Sequence, residues 1–328
     1  PPSAGRPPPS AGRARPEPAA FLAGFELGLD DTEVEDRVRL ELRQEGLREI
    51  PDLSAAPKLR VLLLSGNSLG DLAPLRHCPL LEELVLCQNS LTSLAGLRHV
   101  PRLVLLKATV NQIADASELS GLRQLRHLEL SMNRLSEVQL RAPGLAKLVL
   151  FRNSIRSTDF LQHLPSLTEL DLGRNAITSL DERVSEWNPL LVKVFLYENR
   201  LASLPALRLP LLTDLWLDNN RLEALGPLGF LPSLERLQAK NNRIRTLASP
   251  VAASPLLQVL ELAFNELGPA EPARAVPQHP RLRTLQLNDN PFAAELLGGY
   301  RAWVLRLAPQ LEELDNERVS AAERGTAL

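Results

Sequence analysis

The chain has 328 residues, 23% of them charged, and a formal net charge of -2 at pH 7. This near balance excludes a general attraction to nucleic acids or to anionic membranes, so we expect neither as a direct partner. No apolar stretch approaches the roughly 18 residues that a membrane-spanning helix needs, and the N-terminal residues lack the pattern of a secretory signal.

The N-terminal region divides into two segments by composition. Residues 1–20 are almost entirely Pro, Ala, Gly, Ser and Arg, and the hexapeptide PPSAGR occurs twice. Such a segment cannot bury a core, so we predict a disordered tail, with a proline-rich ligand as the alternative. Residues 21–37 contain apolar residues at helical spacing and are predicted to cap the regular region that follows, with a docking helix as the alternative. These apolar residues are Phe21, Leu22, Phe25 and Leu29.

From residue 38 to residue 292 the chain repeats one frame, Leu-x-x-Leu-x-Leu-x-x-Asn-x-Leu, about every 22 residues. The frame is clearest at Leu59, Leu62, Leu64, Asn67 and Leu69. We count about twelve repeats, with Glu45 in the first asparagine slot. The remaining slots hold Asn67, Asn89, Asn111, Asn133, Asn153, Asn175, Asn199, Asn220, Asn242, Asn265 and Asn290.

The spacing within the frame predicts a short strand in every repeat. Leu62 and Leu64 are two residues apart, so on a strand they face the same side, and the residues beside them face the other side. Stacked repeats give each leucine a neighbour above and below. The frame asparagine can both donate to and accept from backbone groups that would otherwise remain unpaired, at about 1 to 3 kcal/mol each.

Proline supports the same register, because it stands two residues before the first leucine of nearly every repeat from Leu59 onward. Only Arg123 breaks this series. Proline lacks an amide proton and is tolerated at the first position of a strand, so we predict that it marks the strand start. The repeat length departs from 22 by two or more residues at three places. The 24-residue repeat that contains Trp187 is predicted to hold a packed turn, with a lateral contact as the alternative.

After Asn290 the frame ends and a different pattern begins. Residues 293–320 are predicted to form a C-terminal cap with a helix and a short strand, followed by a tail at 321–328. The residues on one helical face are Leu296, Tyr300, Val304 and Leu307. The pairs Asn290-Pro291, Tyr300-Arg301, Val304-Leu305 and Leu314-Asp315, with Pro309 and Leu311, resemble the C-terminal cap of leucine-rich-repeat proteins.

Together, the period, the frame and the cap resemble the 22-residue leucine-rich-repeat class typified by the leucine-rich regulatory subunit of protein phosphatase 1. The spliceosomal A-prime protein and several axonemal proteins share this frame. The resemblance covers residues 38–320 approximately. It implies an α/β solenoid, a right-handed curved array with a parallel concave sheet and short helical or irregular convex turns.

The sequence offers no catalytic constellation, and we predict that the chain is not an enzyme and holds no cofactor or metal. It has no glycine-rich phosphate loop, no HExxH and no Cys-x-x-Cys. His77, His99 and His163 recur through the repeat phase alone, and only two lie in adjacent repeats, which is fewer than zinc needs. Secreted leucine-rich-repeat proteins usually carry disulfide-bonded caps, whereas this chain has only Cys78 and Cys87. We therefore expect a cytoplasmic protein, with the nucleus or the ciliary axoneme as alternatives.

The candidate site is the concave face of the predicted sheet. About twelve strands at 4.8 Å give a sheet on the order of 55 Å long, which fits a folded protein better than a small molecule. Aromatic residues flanked by charges are typical of a binding hot spot, and the alternative is stacking that only stabilises the sheet. The predicted partner-binding residues are Phe151, Glu169, Asp171, Lys193, Phe195, Tyr197, Asp214, Trp216, Asp218, Arg236, Lys240, Glu261 and Phe264.

These observations predict a monomeric, non-enzymatic scaffold or regulatory subunit that holds one folded protein partner. The resemblance implies protein phosphatase 1 as a possible partner class. Three alternatives remain open from the sequence: a ciliary or axonemal assembly protein, a spliceosomal-type ribonucleoprotein component, and the targeting segment of a larger enzyme. Met132 is the sole methionine, which is compatible with a segment of a longer product.

Overall fold

The computed structural model describes residues 38–225, 231–247 and 254–323. They form one open sheet of fourteen strands in chain order, parallel except for the last strand, which is antiparallel to its neighbour. The strands are β1 (Arg39–Glu41), β2 (Val61–Leu63), β3 (Glu83–Val85), β4 (Leu105–Lys107), β5 (His127–Glu129), β6 (Lys147–Val149), β7 (Glu169–Asp171), β8 (Lys193–Phe195), β9 (Asp214–Trp216), β10 (Arg236–Gln238), β11 (Val259–Glu261), β12 (Thr284–Gln286), β13 (Glu313–Leu314) and β14 (Glu317–Arg318). The predicted open array of parallel strands is confirmed, with the final hairpin as an addition.

Some predicted segments lie outside the described residues. These are the tail at 1–20, the cap at 21–37 and the end of the C-terminal tail at 324–328. The boundary between the array and the C-terminal cap stays a prediction. Within the described ranges, no helix combines the length and the apolar character needed to cross a lipid bilayer.

The strands pair without offset, so equivalent positions of the frame form rows across the sheet. In β7 and β8, for example, Leu170 pairs with Val194 and Asp171 pairs with Phe195. The middle residue of each strand from β1 to β12 is buried. The residues on either side of it point to the opposite, concave face, as the two-residue alternation of a strand requires.

The frame asparagines bind the backbone as expected. The Oδ1 atom of Asn67 accepts from the Leu47 amide at 3.0 Å, and its Nδ2 atom donates to the carbonyl groups of Leu42 and Leu64 at 2.8 and 2.9 Å. The same three contacts recur from repeat to repeat, for example at Asn290. Each asparagine therefore ties two successive repeats together at the point where the chain leaves the strand.

The prediction for proline was wrong in its position. Pro57 lies four residues before β2, in a tight turn closed by a hydrogen bond from the Leu59 amide to the Ala56 carbonyl at 3.2 Å. Proline is therefore at the second position of a turn, where its fixed φ is favourable and no amide proton is required. Leu125 and Leu122 form the same turn around Arg123, which shows that the turn tolerates other residues there.

The convex side carries short helices between the strands. The 3-10 helices are Ala73–His77, Ala95–His99, Ser117–Gly121, Asp159–His163, Val276–Gln278 and Leu297–Gly299. The α-helices are α1 (Val184–Trp187), α2 (Ala270–Ala275), α3 (Pro291–Glu295) and α4 (Tyr300–Leu307). In the long repeat, Trp187 of α1 packs partly buried against the core, and the Arg183 guanidinium lies 4.7 Å from its ring centroid. This insertion is a packed turn.

At the C-terminal end, the side chain of Asp315 joins the last repeat to the cap through hydrogen bonds. Its Oδ1 atom accepts from the amides of Leu287 and Asn288 at 2.8 and 3.1 Å. Its Oδ2 atom accepts from the hydroxyl of Tyr300 in α4 at 2.8 Å. The ring of Tyr300 also packs 5.9 Å from that of the buried Phe292. Helix α4 is thereby joined to the last parallel strands of the sheet.

Candidate functional site: the concave face

Three rows of side chains cover the concave face between β6 and β11. The first residues of the strands form a row of charges, the third residues form a second row, and the residues two positions further form a third row. The first row alternates in sign from β6 to β10: Lys147, Glu169, Lys193, Asp214 and Arg236. Aromatic residues occupy the second and third rows.

Most charges of the first row neutralise one another across neighbouring strands. Lys147 pairs with Glu169 at 2.7 Å, and Arg236 pairs with the buried Asp214 at 3.1 Å. Lys193 is exposed, and within the described residues no carboxylate lies within salt-bridge distance of its ammonium group. The first row is therefore largely compensated before any partner arrives.

Four of the predicted aromatic residues form one contiguous group, which we call the aromatic cluster: Phe151, Phe195, Tyr197 and Trp216. The rings of Phe195 and Trp216 meet edge to face at 4.9 Å between centroids. Tyr197 lies 6.3 Å from Trp216 and 5.9 Å from Phe151. All four side chains remain half-buried on the sheet surface. The rings contact one another, as the alternative of a sheet-stabilising stack predicted. No further layer of described residues packs over them.

A glycine that sequence reasoning missed supports this cluster. A Cβ atom on Gly173 would lie 2.5 Å from the Tyr197 ring, so only glycine allows the ring to lie flat on the neighbouring strand end. Arg174 was also missed. Its guanidinium lies 5.6 Å from the centroid of the Phe151 ring and pairs with Glu198 at 2.7 Å. The signal in the sequence was a glycine at an inner position where neighbouring repeats carry a side chain.

Two carboxyl groups flank the aromatic cluster. Asp171 pairs in register with Phe195, and Asp218 lies two residues after Trp216. Burial raises the pKa of Asp171, against a hydrogen bond from the Gly173 amide at 2.8 Å. Burial likewise raises the pKa of Asp218 to about 6, against a hydrogen bond from the Lys240 amide at 2.7 Å. Desolvation outweighs the stabilising contacts in both groups.

The remaining predicted residues lie at the edges of this region. The ammonium group of Lys240 contacts the carboxylate of the buried Glu261 at 2.6 Å. Phe264 is 52% exposed, which leaves it free for contact, but it lies after β11 in the residue that precedes the frame asparagine, with a φ of 56°. It makes no ring contact with the aromatic cluster. Phe264 therefore lies apart from the aromatic cluster.

The concave face of β2–β4 differs in composition and was not predicted as a site. Its residues include Val61, Leu63, Val85 and Leu105, which we call the aliphatic half. Val61, Val85 and Leu105 are half-buried, and Leu63 is buried. Among the described residues no group of three or more His, Cys, Asp or Glu side chains is arranged to hold a metal ion.

The repeat geometry agrees with two family models. A model described as two copies of leucine-rich repeats matches residues 57–99, and a single leucine-rich-repeat model matches residues 163–180. The chain carries leucine-rich repeats. Among solved structures, an internalin from Listeria monocytogenes has the same leucine-rich-repeat fold, with a TM-score of 0.71 over 92% of this chain and 96% of the internalin chain, at 20% sequence identity.

Curated leucine-rich-repeat relatives are similar over shorter stretches. U2 small nuclear ribonucleoprotein A' of Neurospora crassa is 36% identical over 110 residues, which are 33% of this chain and 43% of that protein. Human cilia- and flagella-associated protein 410 is 37% identical over 109 residues, which are 33% of this chain and 42% of that protein. The match thus spans less than half the length of each of these two relatives.

Proposed function

We propose that this chain is a non-enzymatic scaffold whose concave face holds a folded protein partner, with the aromatic cluster at the centre of the contact. The carrying observation is the group of half-buried rings on the open face of β6–β9. Leucine-rich repeats are a fold that supports protein binding on an extended curved surface. Aromatic side chains in such a position supply large contact areas at a small loss of conformational freedom.

The surroundings of the cluster favour a protein over a small ligand. The sheet extends for on the order of 60 Å before curvature, at about 4.8 Å per strand, which is far longer than a small ligand. The compensated charges of Lys147, Glu169, Asp214 and Arg236 form a polar border next to the rings. An apolar centre with a polar rim is the usual anatomy of a protein interface.

The names of the relatives guide the choice of assembly. One belongs to the U2 small nuclear ribonucleoprotein and another is associated with cilia and flagella. We place the scaffold in a multiprotein assembly of one of these two kinds. Regulation of protein phosphatase 1 is the remaining candidate and is supported by the resemblance of the frame and the concave composition. A direct contact with nucleic acid is not part of the proposal, because the net charge of -2 offers no electrostatic driving force.

Affinity purification with three tagged baits tests this function. The baits are the wild-type chain, a Phe195→Ala/Trp216→Ala variant and a matched Val85→Ala/Leu105→Ala variant of the aliphatic half. We expect recovery of the specific partner to fall more than tenfold with the first variant, because two packed rings are removed from the interface. The second variant should retain the partner. Circular dichroism verifies that all three are folded.

The identity of the lost protein selects the assembly. Loss of splicing factors, of axonemal proteins or of a phosphatase catalytic subunit each supports one candidate. Equal recovery of the same proteins by all three baits would contradict the proposed binding face.

A further inference from the structure

The charges of the concave face do not balance near the aromatic cluster. Between β6 and β11, Lys147, Arg236 and Lys240 each contact a carboxylate of a neighbouring strand. Asp171 and Asp218 are different, because no cation of the described chain lies within salt-bridge distance of either carboxylate. These two acids lie on opposite sides of Phe195 and Tyr197.

From this imbalance we infer that the partner inserts a basic side chain, arginine in preference to lysine, onto the aromatic cluster between Asp171 and Asp218. This inference rests on the proposed function and specifies the chemistry of the partner at its centre. The cation would contact the faces of Tyr197 and Trp216 while compensating the two carboxylates.

Desolvation of the two carboxyl groups favours a cationic partner. Both carboxyl groups are already partly buried, and their pKa values are raised for that reason. A neutral partner surface would remove the remaining water and leave two uncompensated charges at the interface. A partner cation converts this penalty into a favourable interaction, because an opposite charge stabilises the ionised form of each carboxyl group.

The backbone orients both carboxylates before a partner binds. One oxygen of Asp171 is fixed by the Gly173 amide and one oxygen of Asp218 by the Lys240 amide, at 2.8 and 2.7 Å. Each carboxylate is thus held in place by the backbone, with its other oxygen left to a donor from outside. Pre-oriented acceptors lose little conformational freedom when a ligand binds.

The aromatic rings between the two acids favour a planar cation. Phe195 and Tyr197 lie on β8 and just after it, between the strands that carry Asp171 and Asp218. The Tyr197 ring lies over Gly173, and no further layer of described residues covers its other face. A planar guanidinium stacks on such faces and binds carboxylates through its remaining N–H groups, whereas an ammonium group forms fewer directed bonds.

The charged groups around the site do not satisfy this requirement internally. The ammonium group of Lys240 is held by Glu261 at 2.6 Å. The guanidinium of Arg174 pairs with Glu198 and lies over Phe151, on the far side of the cluster from Trp216. Lys193 is exposed in the first row and shifts the pKa of neither acid. Lys147 and Lys240 lower the pKa values of Asp171 and Asp218 electrostatically, but burial outweighs both contributions.

A peptide titration tests the inference directly. The three tryptophans are labelled with 5-fluorotryptophan, and the ¹⁹F signal of Trp216 is assigned with Trp216→Phe. An acetylated and amidated hexa-arginine peptide is the probe, and the isosteric hexa-citrulline peptide is the uncharged control. We expect a saturable shift of the Trp216 signal with hexa-arginine, a weaker one with hexa-lysine, and none with hexa-citrulline.

Two variants assign the effect to the named carboxylates. Asp171→Asn/Asp218→Asn removes both charges but keeps a side-chain oxygen that can accept from each backbone amide. It should therefore raise the Kd for hexa-arginine at least tenfold. Glu83→Gln removes one charge from the concave face of β3, far from the rings, and should leave the Kd within twofold. An unshifted Trp216 signal at millimolar peptide, or equal Kd values in the wild type and the double variant, overturns the inference.

The partner experiment separates this inference from the proposed function. If the captured partner depends on Phe195 and Trp216 but is retained by Asp171→Asn/Asp218→Asn, the binding face stands and the basic contact is wrong. If the partner is indifferent to Phe195→Ala/Trp216→Ala, the binding face itself is wrong, whatever the peptide shows.

Discussion

The aliphatic half of the concave face and the region of the aromatic cluster are built on the same backbone frame but carry different chemistry. On β2–β4 the inner residues include Val61, Val85 and Leu105, which are half-buried. On β8 and β9 they are Phe195, Trp216 and charged neighbours. Below the sheet the two regions are nearly identical, since buried leucines and frame asparagines recur in both.

This contrast separates the residues that build the solenoid from those that distinguish its parts. Core positions must fill the same space in every repeat, so they vary little. Inner-face positions are constrained only by neighbouring strands and solvent, and can therefore differ from one half to the other. Function is accordingly expected in the inner-face residues, while mutations of the frame should affect both halves alike.

The largest expected effect is the loss of a frame asparagine, which should destabilise the protein equally in both regions. Asn111 lies beneath the aliphatic half, and Asn199 lies beneath the aromatic cluster. Asn111 binds three backbone groups and Asn199 binds four. Replacing either asparagine by alanine should lower the free energy of unfolding by about 3 kcal/mol, because at least three backbone groups lose their partners.

Denaturant unfolding followed by circular dichroism measures this loss, and Gln124→Ala is the matched truncation of an exposed amide. The control should change stability by less than about 0.5 kcal/mol. A loss below about 1 kcal/mol for either asparagine would show that the backbone contacts do not carry the solenoid in that half.

The next effect distinguishes the two halves through glycine. Gly173→Ala places a Cβ atom 2.5 Å from the Tyr197 ring, so the ring must move. We expect a destabilisation of about 1 to 2 kcal/mol from this overpacking, together with weaker partner binding. Thermal unfolding and the pull-down described above measure the two consequences.

Gly70→Ala, in the repeat that contains β2, is the control for this variant. No atom lies within 4 Å of the added methyl group, so stability should stay the same or rise by up to about 0.5 kcal/mol. Equal destabilisation by both substitutions would mean that backbone freedom, rather than the Tyr197 contact, explains the glycine.

A smaller effect is expected from the charge of Asp218. Its folded-state pKa of about 6 lies above the ordinary value of 3.8, so the stabilising contribution of its protonation is fully present below pH 3.8 and is lost as the pH rises through 6. Asp218→Asn should therefore stabilise the protein at pH 7.5 by on the order of 1 kcal/mol, after allowance for solvent screening. This gain should vanish near pH 4.

Unfolding free energies measured between pH 4 and pH 8 test this pH dependence. Glu83→Gln is the control, because it removes one charge on β3. A pH-independent gain for Asp218→Asn would refute the desolvation of this carboxylate. Greater stability combined with weaker binding of a basic peptide is the signature of a group kept for recognition.

The smallest effect concerns cross-strand ion pairs in the two halves. Lys107 pairs with Glu129 at 3.2 Å, and Lys240 pairs with the more deeply buried Glu261 at 2.6 Å. Double-mutant cycles with Lys→Met and Glu→Gln should give coupling energies of about 0.5 and about 1 kcal/mol, since burial reduces solvent screening. A larger coupling energy for the less buried Lys107–Glu129 pair would contradict this effect of burial.

Much of the fold was predictable, because the frame states its own geometry. The period, the direction of the core leucines and the binding role of asparagine all follow from local spacing, and the structure confirms them. The position of proline was predicted wrongly, because the strands are only three residues long and the turn before them is not visible in the leucine spacing. The aromatic cluster was predicted as a list, without Gly173 and Arg174.

Phe264 illustrates a further limit of sequence reasoning. Its place in the frame, directly before Asn265, indicates the end of a strand but not the left-handed backbone conformation that turns it away from the other rings. The same conformation occurs at the equivalent residues of other repeats, such as Val110 and Met132. It follows from the packing of one repeat on the next rather than from the residue type.

The sequence by itself determined the solenoid, its period and which residues share the inner face, because a periodic frame leaves each unit only one way to bury its leucines. The tertiary structure decided which inner charges neutralise one another, which rings touch and which carboxylates remain uncompensated. These outcomes depend on side-chain reach between neighbouring strands, at separations of a few ångströms that no spacing along the chain encodes.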